Sequence, residues 1–350
     1  MVLFSRRPGP SDCSGPAVDS GCGVSPSKHS ATLPTVSIEL VVTCLTPEAQ
    51  GVLGIELRHP TGEELPLFEP GAHVEVRLSN GIRRQYSLCN DSRERTRYCL
   101  GIGHAPESRG GSRYLHNQLK LGDRLQVAAP KNLFPLRQGG EELIFIAGGI
   151  GITPILSMIR HCLSVNRPFH LYYCARSRTR AGFLQTIEAL AGARAHFHFD
   201  DEHDGRWFDA KAIVSRHPRE AHVYCCGPEA LMKAVQEAGA DRPAENLHFE
   251  WFSPKPNDDS KSQPFEVVIR SSGRRIHVPA DRSVLDVLEG NGVSIPTSCR
   301  EGLCGTCQVG VVAGLPDHRD SVLSDDERAA NQSMMICVSR SRTPVLELDL

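Results

Sequence analysis

No run of apolar residues in this 350-residue chain approaches the roughly 20 needed to cross a bilayer as a helix. That argues against an integral membrane protein, and no membrane partner is expected. Charge of one sign is not in excess either. The chain carries 39 basic and 41 acidic residues, a formal net charge of −2. Without a basic balance, non-specific binding to nucleic acid is not expected. Internal repeats and coiled-coil stretches are missing. What is present is a globular composition, 40% hydrophobic and 23% charged, with length for two to three domains. The 13 cysteines are odd in number, and three of them crowd into residues 299–307. Clustering of that kind predicts metal ligation in a reducing compartment, the cytoplasm, rather than a disulfide framework.

Residues 1–35 differ from the rest. Sixteen of these 35 are Pro, Gly or Ser, too few apolar side chains to offset chain entropy, and a disordered tail is expected. Arg6-Arg7 is similar to a twin-arginine export signal, but no apolar stretch follows it. A harmless tail or a misassigned start is the simpler reading. From residue 36 short β-rich runs separated by Gly and Pro turns predict a barrel: 36–43, 54–58, 73–78, 84–88 and 123–128. From 139 the texture becomes alternating, with strands at 142–147, 169–174, 195–199 and 222–226 separated by helical stretches. Alternation of that kind predicts a doubly wound parallel sheet, an α/β unit. Residues 253–263 read as a polar linker, and 264–350 as a small α+β unit with capping-box signals at Ser283 and Ser324. The expected domains are therefore 36–138, 139–252 and 264–350.

The strongest chemical signal is Cys299, Cys304, Cys307 and Cys337. The spacing is C-x4-C-x2-C, then 29 residues, then C. Such spacing is that of a plant-type [2Fe–2S] cluster, where four thiolates converge on two irons. Gly302 and Gly305 let backbone N–H groups turn toward the sulfur atoms, which helps set a potential typically about −400 mV. Structural zinc and buried free cysteines are the rival readings. Zinc favours paired C-x2-C spacings, and these are absent.

Two further constellations point to redox cofactors. Arg84, Tyr86 and Ser87 offer a phosphate partner, a stacking ring and a hydroxyl, as a flavin needs. Ser108-Arg109-Gly110-Gly111-Ser112 precedes a helical stretch and offers backbone N–H groups to an anion; a plain surface loop is the alternative. Gly148-Gly149-Ile150-Gly151-Ile152-Thr153 follows a buried strand and opens a helix, the context of a phosphate-binding turn. Cys226-Gly227-Pro228 stands at another strand's carboxyl end. Arg176-Ser177-Arg178 and Arg180 stand where the adenosine ribose is usually read, with no acid among them. On residues alone that slightly favours NADPH, the alternative being a solvated basic loop.

Together RQYSLCN at 84–90, SRGGSRYLH at 108–116, GGIGITPIL at 148–156, YCCGP at 224–228 and CREGLCGTC at 299–307 resemble the reductases of Rieske-type aromatic oxygenases, in particular the phthalate dioxygenase reductase and vanillate O-demethylase reductase group. The resemblance covers about residues 36–350. It implies a flavin-binding antiparallel β-barrel, a nucleotide-binding sheet and a C-terminal β-grasp ferredoxin domain. It implies FMN, held by Arg84, Tyr86, Ser87, Ser108, Gly110, Gly111 and Ser112. Gly148, Gly149, Thr153, Arg176 and Gly227 would line the nucleotide, with Cys226 near the nicotinamide and Phe252 near the flavin. It implies NADH as reductant, with NADPH as the alternative that Arg176 and Arg178 suggest. The expected function is electron transfer from NADH through FMN and the cluster to a Rieske-type oxygenase or demethylase. No catalytic acid or base is expected. The face from Arg300 to Leu303 is expected to meet the acceptor, with Leu303 on the exposed side of the cluster. A reductase for a di-iron or haem monooxygenase, and a non-enzymatic redox sensor, are the other classes.

Overall fold

The structure, a computed structural model, describes residues 37–104, 110–254 and 262–350. The tail at 1–35, Ser108 and most of the 253–263 linker lie outside the described residues. Among those described, no helix is long and apolar enough to cross a membrane.

The chain first lays down β1 (Ser37–Ala49), β2 (Val52–Arg58), β3 (His73–Arg77), β4 (Arg83–Ser87), β5 (Tyr98–Gly103), helix α1 (Gly111–Asn117) and β6 (Arg124–Ala128). These strands pair antiparallel in the order β4-β3-β6-β1-β2-β5. A bridge between Leu88 and Leu100 joins the two edges and closes the barrel. Alternate side chains such as Leu40, Leu57, Val74, Leu100 and Val127 fill its interior, as the two-residue period of a strand requires. One difference from expectation has a local cause. The first strand runs on to Ala49 because it continues as a hairpin with β2, with register shifts at Val42/Cys44 and Pro47/Ala49. The tetrapeptide 84–87 forms the last four residues of β4.

The second unit contains β7 (Leu143–Gly148), α2 (Ile152–Ser164), β8 (Phe169–Ala175), α3 (Leu184–Ala191), β9 (Ala195–Phe199), α4 (Ala210–Val214), β10 (His222–Cys226), α5 (Glu229–Ala238) and β11 (Leu247–Glu250). All five strands are parallel, in the order β11-β10-β7-β8-β9. Every residue of the central β7, LIFIAG, is buried, because α2 and α3 cover one face of the sheet and α4 and α5 the other. The order turns at β7, so its carboxyl end is the crevice where such sheets bind ligands. Val52, Cys89 and Phe134 of the preceding unit pack into the same apolar cluster as Phe145 and Tyr173. The first two units therefore share a core.

The last unit contains β12 (Phe265–Ile269), β13 (Arg274–Val278), α6 (Val284–Gly290), β14 (Gln308–Ala313), β15 (Pro316–Asp317), α7 (Asp325–Ala330), β16 (Ser333–Met335), β17 (Arg340–Ser341) and β18 (Val345–Leu348). Its main sheet has the order β13-β12-β18-β14-β16, with β12 and β18 parallel and α6 packed into the same core, the β-grasp arrangement. Ser283 accepts the Asp286 N–H at 3.0 Å, and Ser324 with Glu327 forms a complete capping box, so both helix starts lie where the sequence signals place them.

Candidate functional site

Arg84, Tyr86 and Ser87 project from β4 into a cavity of about 420 Å³. Ser112 of α1 lies on the same wall. Gly111 packs directly on Arg84: a Cβ there would stand 2.8 Å from Arg84 Cγ. Gly110 takes a left-handed conformation, φ 95°, at the start of α1, which a glycine adopts without strain. Burial pushes the Tyr86 hydroxyl pKa up to about 12, so the ring presents an unionised face.

The opposite walls come from the other two units. Ile150 enters from the turn after β7 and Thr153 from the first turn of α2; Glu250, Trp251 and Phe252 from the end of β11; and Glu301 and Leu303 from the cysteine loop. Phe252, 41% exposed, is a large ring at the cavity wall. Glu250 was not singled out by the sequence; the only signal was one acid inside the aromatic run 249–252. The Ser87 hydroxyl donates to Glu250 Oε2 at 3.5 Å. Burial pushes the Glu250 carboxyl up to about 8.

At the carboxyl edge of the parallel sheet two turns meet backbone to backbone. A Cβ on Gly148 would lie 2.5 Å from Pro228 Cδ, and one on Gly151 would lie 2.1 Å from the carbonyl oxygen of Cys226. Gly148, Gly151 and Gly227 are thus required by the close approach of these turns. Gly149 differs: its φ is 53° and nothing stands within 4 Å of its Cβ position, so it is the glycine open to a ligand. Cys226 is fully buried at the end of β10, and burial, then the charge of Glu250, raises its thiol well above the usual range. The Thr153 hydroxyl donates to Ile150 O at 3.0 Å.

The basic run after β8 holds no acid of its own, but the fold sets one beside it. Glu202, in the turn after β9, accepts from Arg178 Nε at 2.6 Å, and the Arg178 guanidinium lies 4.7 Å from the centre of the Phe199 ring. Parallel pairing of β8 with β9 brings the two turns together. Arg178 is therefore engaged, while Arg176 is exposed.

Cys299, Cys304, Cys307 and Cys337 are all buried and come together in two pairs. Cys299 shares a hydrogen bond with Cys304, and Cys307 with Cys337; within each pair that bond lowers one thiol, Cys304 or Cys307, and raises its partner. Two thiols for each of two irons is the donor set of a [2Fe–2S] centre, so these residues fit the cluster. The Glu301 N–H donates to Cys299 Sγ at 3.3 Å. Gly302, φ 69°, gives the loop its turn where a Cβ would lie 3.0 Å from Asp320 Cα. Leu303, half-buried, lines the cavity shared with Tyr86 and Thr153. Arg300 is held by Asp286 at 2.9 Å and Glu289 at 2.6 Å. The loop is turned toward the barrel because Gln85 Nε2 donates to Ser298 Oγ at 2.6 Å.

Residues 145–237 match the family profile of an oxidoreductase NAD-binding domain, and residues 267–342 that of a 2Fe-2S iron-sulfur cluster binding domain. The chain is 42% identical over 323 residues to tetrachlorobenzoquinone reductase of Sphingobium chlorophenolicum, covering 91% of this chain and all of that one. It is 41% identical over 316 residues to vanillate O-demethylase oxidoreductase of Pseudomonas sp., covering 89% of this chain and all of that one. Among solved structures, phthalate dioxygenase reductase superimposes with a TM-score of 0.67 at 38% identity, over 90% of this chain and 98% of that one. A type IV self-sufficient cytochrome P-450 monooxygenase superimposes with a TM-score of 0.82 at 38% identity. This chain spans 41% of that longer protein. The two matched profiles give this chain a [2Fe–2S] cluster and a nicotinamide dinucleotide as its redox groups. The chain belongs to the family of flavin iron–sulfur oxidoreductases that includes phthalate dioxygenase reductase and vanillate O-demethylase oxidoreductase.

Proposed function

We propose that this chain is the reductase of a Rieske-type oxygenase or demethylase, working in the cytoplasm, and that the three-walled cavity is its FMN site. The observation that carries this reading is that one cavity is lined by Arg84 and Tyr86 of the barrel, Thr153 of the nucleotide unit and Leu303 of the cysteine loop. A group held there touches the source and the destination of the electrons at once. When bound, the flavin accepts two electrons together as hydride and the cluster takes them singly, which is the conversion these groups supply.

The chain's own residues position and tune. The Arg84 guanidinium, Ser112 hydroxyl and the backbone at Gly110 and Gly111 would hold the flavin phosphate, one charge-assisted bond among neutral ones. Tyr86 offers its ring face, and Ser87 with Glu250 a hydroxyl and a protonated carboxyl. Gly149 and Arg176 would approach the dinucleotide, with Gly148, Gly227 and Cys226 shaping the crevice floor. Phe252 would shield the reacting face from water. Cys299, Cys304, Cys307 and Cys337 would ligate the irons, and N–H groups such as that of Glu301 would offset the charge that reduction adds. Glu202, paired with Arg178, sets an acid beside the proposed ribose-reading turn, which supports the preference for NADH. Residues 36–138, 139–252 and 264–350 serve as flavin, nucleotide and cluster units. The eleven cysteines among the described residues carry no disulfide, which suits a reducing cytoplasm.

A haem monooxygenase is the second reading for the acceptor, favoured by the likeness to the self-sufficient monooxygenase. Mixing the NADH-reduced holoprotein anaerobically with a purified Rieske oxygenase and with a purified haem monooxygenase separates the two. Faster reduction of the Rieske centre is expected, and faster haem reduction would replace that reading.

A further inference from the structure

We propose that Glu142, His170 and His217 form a binding site for one divalent transition-metal ion of the zinc type, at the edge of the parallel sheet opposite the flavin cavity. The three residues come from separate places: the residue before β7, the second position of β8, and the turn after α4. The β7–β8 register sets Ile144 against His170, so Glu142 and His170 flank the same sheet edge. The Arg242 guanidinium pins the third segment, donating to the carbonyls of Val214 at 2.6 Å and His217 at 2.8 Å.

One ligand atom from each residue lies within 4.8 Å of the other two. His170 Nε2 stands 3.1 Å, and His217 Nδ1 3.3 Å, from the same atom, Glu142 Oε1. Two imidazole nitrogens and one carboxylate converging on a point are three of the four ligands of an open zinc site, with water as the fourth. The nitrogen donors select against magnesium and calcium, which take oxygen. The outer shell is present as well. His217 Nε2 lies 2.9 Å from the Tyr172 hydroxyl, and a bond of that kind fixes a ligating imidazole's tautomer and orientation. The side chains of His217, Glu142 and His170 are 8%, 27% and 41% exposed, so the site is anchored on one side and open to water on the other. None of the three residues lines the proposed flavin cavity. An ion bound by them ties the starts of β7 and β8 to the α4 turn, and its effect falls on stability, since a ligand bound only by the folded state raises the melting temperature.

The test uses the full chain loaded with FMN and cluster, dialysed against Zn²⁺ and assayed for zinc and iron per chain. One zinc beside an undiminished cluster iron content is expected, with a raised Tm. His170→Gln and Glu142→Gln should each weaken zinc binding at least about tenfold while leaving NADH-driven flavin reduction unchanged. X-ray absorption at the zinc edge of the unmutated protein should show nitrogen and oxygen neighbours with imidazole scattering. Absence of zinc uptake, unchanged zinc affinity in folded His170→Gln, or sulfur in the zinc shell would each overturn the proposal.

Discussion

Gln85 Nε2 donates to Ser298 Oγ at 2.6 Å, joining the strand that carries Arg84 and Tyr86 to the residue before Cys299. The two are 213 positions apart in the chain, yet this bond sets how the cysteine loop faces the cavity. Replacing Gln85 with Ala removes a bond worth about 0.5–1.5 kcal/mol and loosens that orientation. Stopped-flow absorbance should show NADH-driven flavin bleaching at its normal rate, with the following cluster bleaching slowed several-fold.

Glu202 and Arg178 give a second test, of nucleotide choice. An exposed pair of this kind contributes at most about 1 kcal/mol to stability, so Glu202→Gln should fold normally. It releases the guanidinium, and kcat/KM for NADPH should rise by up to about tenfold, that being roughly 1.4 kcal/mol of new phosphate binding. Arg178→Ala should leave NADH use nearly unchanged. Equal NADPH rates in the parent and Glu202→Gln would remove Arg178 from the account.

Much of this site is contiguous in sequence and was legible for that reason. The cysteine spacing, the RxYS strand and the glycine turn each put their chemistry within a few residues, and the pattern of strands gave the sheet types. What was not legible depends on long-range packing. Strand β5, YCLGIG, carries two glycines that break the apolar alternation; Gly101 is there because a Cβ would lie 2.6 Å from Thr153 Cγ2. Glu202 reaches Arg178 across 24 residues only once β8 and β9 pair. That Leu303 lines one cavity with Tyr86 and Thr153 likewise depends on packing between segments far apart in the chain. Glu142, His170 and His217 have no shared motif at all.

The Glu250 carboxyl predicts a pH dependence with a definite sign. Burial raises it from near 4.5 to about 8. Its contribution to stability is therefore fully present below about 4.5, where the unfolded chain is also protonated, and is lost as pH rises through 8. Denaturant midpoints of the parent protein relative to Glu250→Gln should fall between those limits. A flat difference would show that this carboxyl ionises normally.

Gly302→Ala tests the cysteine loop. A left-handed φ of 69° with backbone 3.0 Å from the new Cβ costs about 1–3 kcal/mol. Lower iron content per chain with normal FMN content is expected; full iron loading would show that the loop absorbs the methyl group.

Passage of electrons from nucleotide to cluster through the proposed flavin cavity, lined by Tyr86, Thr153 and Leu303, is open to direct test. Anaerobic rapid mixing of holoprotein with NADH, followed at flavin and cluster wavelengths, tests it most directly when repeated with deflavinated, cluster-loaded protein and with Cys304→Ala. Flavin bleaching should precede cluster bleaching in the holoprotein, the cluster of deflavinated protein should stay oxidised, and Cys304→Ala should still bleach its flavin. Cluster reduction by NADH without flavin would contradict the account.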